Sequence, residues 1–380
     1  MAAAPTENAS TKAQLTKASV FERISAAFLL SYFAVYVASN ASSTYEPSES
    51  PAKHLVVVAA AVVSLLFRPR QCIRLVLIFL PIALLYLAGR LPAYALMAIV
   101  FAASLPVFGS GLAYLTQRDR GIVLLALAVV SLVPAAVSIG MDAESLFSSY
   151  YGRPRLLLGY WHPKEAAAIL LVPILVYLMR ARRRPGIAVL IALPALLWVV
   201  GSRNAALSLL MAIGLRHFPR VSYAALAAAF AGLLAFVVFS SSWYELIDDL
   251  SSLRFSVWNE AISDPIHVQQ TDLLGGERLA IDSYYIELFL TTGAAGLAFF
   301  VLWALGFYWL HVRRAPRSTW IQGLFFAILF FSAFDSGIVS TGNIFHIVGW
   351  AVICIPLIKA SSRRRARWRP RIGVAAPAAT

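Results

Sequence analysis

Of 380 residues, 60% are hydrophobic and 13% charged, a balance that excludes an ordinary soluble domain and fits a polytopic α-helical membrane protein. The net charge of +14 does not point to nucleic acid, because the basic residues fall in short clusters between apolar runs, the pattern of membrane topology. Cys72 and Cys354, far apart and without metal-type spacing, argue against a disulfide or a zinc site.

The polar start, 1–20, reads as a cytoplasmic tail without a cleavable signal peptide. Beyond it, apolar runs of about 20 residues are read as helices, since backbone groups in hydrocarbon must be satisfied within each segment and none of the runs alternates as barrel strands do. About twelve spans are predicted, at 21–39, 54–67, 73–89, 91–115, 121–140, 165–179, 186–201, 204–215, 221–241, 283–310, 320–337 and 344–359. The predicted fold class is thus all-α, with a transmembrane domain over 21–359 and a basic cytoplasmic tail over 360–380. Two sizeable outer loops interrupt it, at about 141–164 and about 242–282, the second between the ninth and tenth helices.

Charge supports this arrangement. Most of the 32 Lys and Arg fall on one side if the N terminus is cytoplasmic, among them Lys12, Arg23, Arg68, Arg70, Arg74, Arg216 and Arg313. An even number of spans with both termini in the cytoplasm keeps that bias. Of the 18 acidic residues, only Glu7, Glu22 and Asp119 share the cytoplasmic side. Carboxylates contribute little to insertion, so their asymmetry places any chemistry on the outer face. No internal repeat of the kind that builds two-halved transporters is visible.

Several outer stretches concentrate chemistry. The run from Arg153 to Glu165 holds Arg155, Trp161 and His162 ahead of a helix opened by Pro163, with Glu165 in its first turn, where the helix dipole favours an anion. His162 there is an interfacial residue or a proton carrier. Arg203, in Gly201-Ser202-Arg203, sits where topology disfavours arginine, so it either snorkels to headgroups or holds an anion in a polar cavity. A planar guanidinium suits phosphate, because it donates two parallel hydrogen bonds while staying charged.

In the large loop, Trp243, Leu246, Ile247, Leu250, Leu253, Val257, Trp258 and Ala261 recur at helical steps, which reads either as an interfacial helix anchored by tryptophans at the headgroup level or as a lid that roofs a cavity and presents Arg254 inward. The loop then passes a Gly-Gly turn and Arg278. At its return, Asp282 and Ser283 are candidate helix caps, Tyr284, Tyr285 and Glu287 make a polar entrance, and Gly293 and Gly296 permit close packing. Asp335 is a further costly acid near a span's outer end. No HExxH, P-loop, dinucleotide or GxSxG motif occurs, and nothing in the pattern suggests a metal or another cofactor.

Taken in order, Gly159-Tyr160-Trp161-His162-Pro163, Gly201-Ser202-Arg203, Arg254 with Trp258 and Ala261, and Asp282-Ser283-Tyr284 followed by Gly293 and Gly296 resemble the bacterial O-antigen ligase and O-antigen polymerase superfamily of membrane glycosyltransferases, over about residues 150–310. The resemblance implies metal-independent transfer from an undecaprenyl-pyrophosphate-linked glycan, at the periplasmic face of the bacterial inner membrane. Ligases of the superfamily usually carry a histidine where this chain has Asp282, which favours a polymerase of O-antigen or exopolysaccharide repeat units. Carried onto this sequence, Arg203 and Arg254 clamp the pyrophosphate with Arg155 or Arg278 assisting. Asp282 is the base, with Glu165 or His162 as substitutes, and Trp161, Trp258, Tyr284 and Tyr285 contact glycan. Implied partners are the lipid-linked donor and acceptor and a chain-length regulator. The alternatives are a ligase transferring glycan to lipid A-core and, from another class, a transporter or flippase of lipid-linked glycans. A transporter should carry charges or broken helices near mid-membrane in both halves, and the first five segments contain almost no charges.

Overall fold

The computed structural model describes residues 9–41, 51–118, 122–141, 146–150, 153–160, 162–180, 186–200, 202–218, 256–258, 269–271, 277–279, 283–315, 320–333 and 338–367. The ninth predicted span, 221–241, lies outside the described residues, as do Asp335 and most of the amphipathic stretch 243–261.

The described chain is mainly helical. Its first half contains α1 (Ala9–Asn40), α2 (Pro51–Phe67), α3 (Pro69–Ala88), α4 (Pro92–Arg118) and α5 (Ile122–Met141). A short antiparallel hairpin of β1 (Phe147–Tyr150) and β2 (Arg153–Leu156) leads to α6 (Pro163–Arg180), α7 (Ile187–Val199) and α8 (Arg203–His217). A second hairpin, β3 (Gln269–Thr271) with β4 (Glu277–Leu279), precedes α9 (Tyr284–Phe307), a π-helical turn (Tyr308–Val312), α10 (Ile321–Ser332) and α11 (Ile344–Arg367). The hairpins fall in the two predicted outer loops. Their strands are three or four residues long, so the fold class is all-α as the sequence predicts.

Helix starts follow local chemistry. α2, α3, α4 and α6 each begin with a proline, whose missing N–H is one of the donors a helix start leaves unpaired anyway. Among the described residues, five helical segments are long and apolar enough to cross a membrane, namely Val20–Asn40, Pro69–Ala88, Pro92–Thr116, Ile122–Gly140 and Tyr284–Val312. Shorter apolar helices cover Pro51–Phe67, Ala188–Val199, Ile321–Ser332 and Ile344–Ile358. α11 continues to Arg367, so helical backbone extends into the stretch predicted as a tail.

α4 is the hub, packed by α1, α2, α3 and α11. Its apolar window is 67% buried, against 28% for α5 and 22% for α9, so α5 and α9 present most of their apolar surface outward. Close packing at the hub depends on small residues. At Gly111 an added side-chain carbon would collide with the Ser25 carbonyl of α1, so only glycine lets those backbones meet. α8, α7 and α10 form a second group, joined to the first through α6 and α11.

Aromatic rings knit α3, α9, α10 and α11. Phe79 meets Trp350 edge-on at 5.0 Å, and Phe307 stacks on Phe325 at 5.7 Å. Both indoles are paired, Trp303 donating to the Ile78 carbonyl and Trp350 to the Ile338 carbonyl, each at 2.9 Å. Gly293 has φ +70° and open space where a side chain would be, so it breaks the regular winding of α9. Close packing, the role expected of Gly293, is not what its surroundings require.

The helix ends sort by charge. At one end, the Arg68 guanidinium lies over Phe21, Arg216 lies over Trp320 at 4.3 Å, and Gln71 donates to the Ile358 carbonyl at 3.0 Å. This basic end brings the starts of α3 and α10 and the ends of α2, α6 and α8 together with α1 near Phe21 and α11 near Ile358. The opposite end gathers the complementary set and carries the polar contacts described next.

Candidate functional site

At the end away from the basic clusters, α1 places Tyr32 and Tyr36 one helical turn apart on the same face, both fully buried. The Tyr32 hydroxyl donates to the Thr341 carbonyl at 2.7 Å, and the Tyr36 hydroxyl donates to the Glu165 carboxylate. Asn40 closes the helix by donating its amide to the Tyr36 carbonyl at 2.8 Å. From α2, His54 Nδ1 lies 2.8 Å from the Thr341 hydroxyl, which also meets Met97 Sδ of α4 at 3.8 Å. Next to His54, Lys53 is only 9% exposed, and among the described residues it has no hydrogen-bond or ion-pair partner. Gly342 faces both the His54 ring and the Lys53 stem.

The loop that delivers Thr341 is itself fixed. Ser340 Oγ accepts from the Gly342 N–H at 3.2 Å, and Asn343 Oδ1 accepts from the Phe345 N–H at 2.9 Å, capping α11. The result is a carboxylate, an imidazole and the Lys53 side chain assembled from α1, α2, α4, α6 and the loop before α11.

Sequence-predicted residues enter this region through the run before α6. His162 is the helix cap: its Nδ1 accepts from the Lys164 N–H at 3.1 Å, and its carbonyl accepts from Glu165 and Ala166 N–H at 3.1 and 3.2 Å. Accepting at Nδ1 requires a neutral ring with its proton on Nε2. Glu165, in the first turn of α6, combines the dipole-favoured position with the bond from Tyr36. Gly159 has φ +75° and would collide with the Pro134 carbonyl if it bore a side chain. Tyr160 bridges to Ala41 and donates its hydroxyl to the Ser131 carbonyl at 2.7 Å. Burial pushes the Tyr160 phenol above the ordinary tyrosine range, which keeps it protonated as that donor. Gly159, Tyr160 and His162 are therefore fitted contacts that tie α5, α1 and α6 together.

Arg203 is the first residue of α8, half-buried, with its guanidinium 5.7 Å from the Trp198 ring at the end of α7. Arg155 lies on β2 opposite Ser148, and Arg278 on β4 opposite Gln270. Trp258 lies in a helical turn at 256–258 and is half-buried. At the start of α9, Tyr285 donates to the Leu329 carbonyl at 2.6 Å. Tyr284 is 1% exposed, its ring packed near Tyr86, Tyr285 and Phe300, and its hydroxyl has no partner among the described residues. Asp282, Arg254 and Trp161 lie outside the described residues.

Sequence reading missed Tyr32, Tyr36, Lys53, His54 and Thr341. A faint signal existed: Lys53 and His54 open a helix on the side that should be poor in cations, and Tyr32 with Tyr36 repeats at the helical step. What the fold and the site define is a helical membrane protein with a polar, charge-bearing cluster built into one end of its bundle. No family model matches the chain, no curated protein matches it, and no solved structure matches it.

Proposed function

We propose that this chain is a membrane glycosyltransferase that polymerises lipid-pyrophosphate-linked oligosaccharide repeat units, undecaprenyl pyrophosphate being the carrier in the superfamily it resembles. The observation that carries the reading is the pairing of Glu165 with Tyr36 beside buried Lys53 and His54, at the end of the bundle opposite its basic clusters. The motif resemblance over about residues 150–310 supplies the substrate class.

In this reading, an acceptor sugar hydroxyl attacks the anomeric carbon of the donor, the bond from that carbon to the pyrophosphate oxygen breaks, and polyprenyl pyrophosphate leaves. The leaving group is already an anion, so the protein's main tasks are positioning and charge stabilisation. Lys53 and Arg203, with Arg254, Arg155 and Arg278 from the loops, supply cations for the pyrophosphate. Glu165, held by the Tyr36 hydroxyl, shares with Asp282 the role of accepting the acceptor's proton. About twelve spans and a periplasmic working face belong to the same proposal.

The test is polymer formation by Lys53→Gln, Arg203→Ala, Arg254→Ala and Glu165→Gln variants in membranes where the protein inserts normally. Loss of polymer growth in Arg203→Ala, Arg254→Ala and Lys53→Gln is expected. Full-length polymer from all three would remove the pyrophosphate clamp and with it the proposed reaction.

A further inference from the structure

The basic end carries a feature that glycosyl transfer does not use. On α3, Arg70, Ile73, Arg74, Leu77 and Ile78 recur at three- and four-residue steps and form a single stripe, with both cations in its first half, Ile73 between them, and Leu77 and Ile78 beyond. The rotation of α3 is fixed by its other side, where buried Gln71 donates to the Ile358 carbonyl at 3.0 Å. The stripe is thereby turned outward, with Ile73 54% and Leu77 61% exposed on a helix apolar enough to cross a membrane.

Facing the stripe is His311, carried on the π-helical turn after α9. The wider winding is marked by the Arg313 N–H donating to the Tyr308 carbonyl at 2.8 Å, and the His311 ring packs edge-on against Phe307 at 5.2 Å. Trp303 bonds the Ile78 carbonyl at 2.9 Å and so holds α9 against α3. Between the two elements lies a cleft of about 440 Å³ lined by Arg70, Ile73, Arg74, Leu77, Ile78 and His311. Among the described residues none of its lining groups is a carboxylate, so the two guanidinium charges have no anionic neighbour in the lining.

We propose that this cleft binds the phosphate of an anionic membrane phospholipid, with Arg70, Arg74 and His311 on the headgroup and the acyl chain along Ile73 and Leu77. Charge identifies the headgroup as an anion, and a planar guanidinium pair suits its phosphate. The aliphatic, outward half of the same cleft identifies the anion as membrane-borne, since a free phosphate has nothing to place there. The site lies at the basic end and is independent of the proposed glycosyl transfer.

The experiment is native mass spectrometry of the purified protein released from micelles containing palmitoyl-oleoyl phosphatidylglycerol or the matching phosphatidylcholine. Retention of the phosphatidylglycerol over the phosphatidylcholine is expected. The Arg70→Gln/Arg74→Gln variant should bind it about 30-fold more weakly, which is about 2 kcal/mol at 1.4 kcal/mol per tenfold. Arg313→Gln, at the same end but stacked on Trp309 at 4.1 Å and outside the cleft lining, should bind as the parent does. Leu77→Trp, which fills the aliphatic half while keeping both arginines, should also lose the lipid, so the proposal does not hang on the charge variant's folding. Equal retention of the two lipids, or unchanged retention in both the double variant and Leu77→Trp, would overturn the site. Inorganic phosphate binding as tightly as phosphatidylglycerol would overturn the lipid as its occupant.

Discussion

Replacing Tyr36 with phenylalanine removes one oxygen and tests the contact on which the candidate site rests. Tyr36 is fully buried, and its hydroxyl donates to the Glu165 carboxylate across a separation of 129 residues. A hydrogen bond to a charged acceptor contributes about 1.5–3 kcal/mol, so Tyr36→Phe should lower the folding equilibrium roughly ten- to a hundredfold. Part of that loss is shared with Glu165. A double-mutant cycle of Tyr36→Phe and Glu165→Ala, read from reversible unfolding in mixed detergent–SDS micelles, should return a coupling energy of about 1.5 kcal/mol or more. Additivity to within about 0.5 kcal/mol would mean that the two side chains do not support each other, and the site's geometry would have to be abandoned.

Capping predicts that His162→Ala destabilises the protein by about 0.5–2 kcal/mol, whereas His162→Asn, a good cap without an imidazole, restores stability and activity; a folded but inactive His162→Asn would make the ring a chemical participant. Gly159→Ala should be strongly destabilising because both its φ of +75° and the Pro134 carbonyl exclude a side chain; near-parental expression and unfolding would refute that placement. At the aromatic core, Trp350→Phe leaves the Ile338 carbonyl without its indole donor and should cost about 1–3 kcal/mol in the same unfolding assay. Lys53→Met should leave stability within about 0.5 kcal/mol, since Lys53 has no hydrogen-bond or ion-pair partner among the described residues, while abolishing turnover; a large stability loss would reveal a structural role instead.

The helices were legible because membrane segments announce themselves locally. The predicted 91–115 is observed as Pro92–Arg118 and the predicted 204–215 as Arg203–His217, since apolar runs, opening prolines and flanking arginines all lie within the segment itself. The second helix starts earlier than its predicted span, at Pro51, and that added stretch carries Lys53 into the bundle next to His54. The site was much less legible. Glu165 stood out as an acid at a helix start, but nothing in the sequence singled out its partner Tyr36 within the predicted span 21–39. Tyr32 and His54 both depend on Thr341, which is 309 and 287 residues away in the chain, and no local pattern encodes such meetings. Gly293 was read for its size, when its positive φ was the property that mattered.

The central claim is the reaction itself, and the most direct measurement is incubation of the purified protein in liposomes with a polyprenyl-pyrophosphate-linked repeat unit, followed by sizing of the lipid-linked glycans. The account predicts chains extended by successive whole repeats, with release of polyprenyl pyrophosphate and no requirement for added metal. Transfer of glycan only to a lipid A-core acceptor, or movement of the donor across the bilayer with no new glycosidic bond, would contradict it.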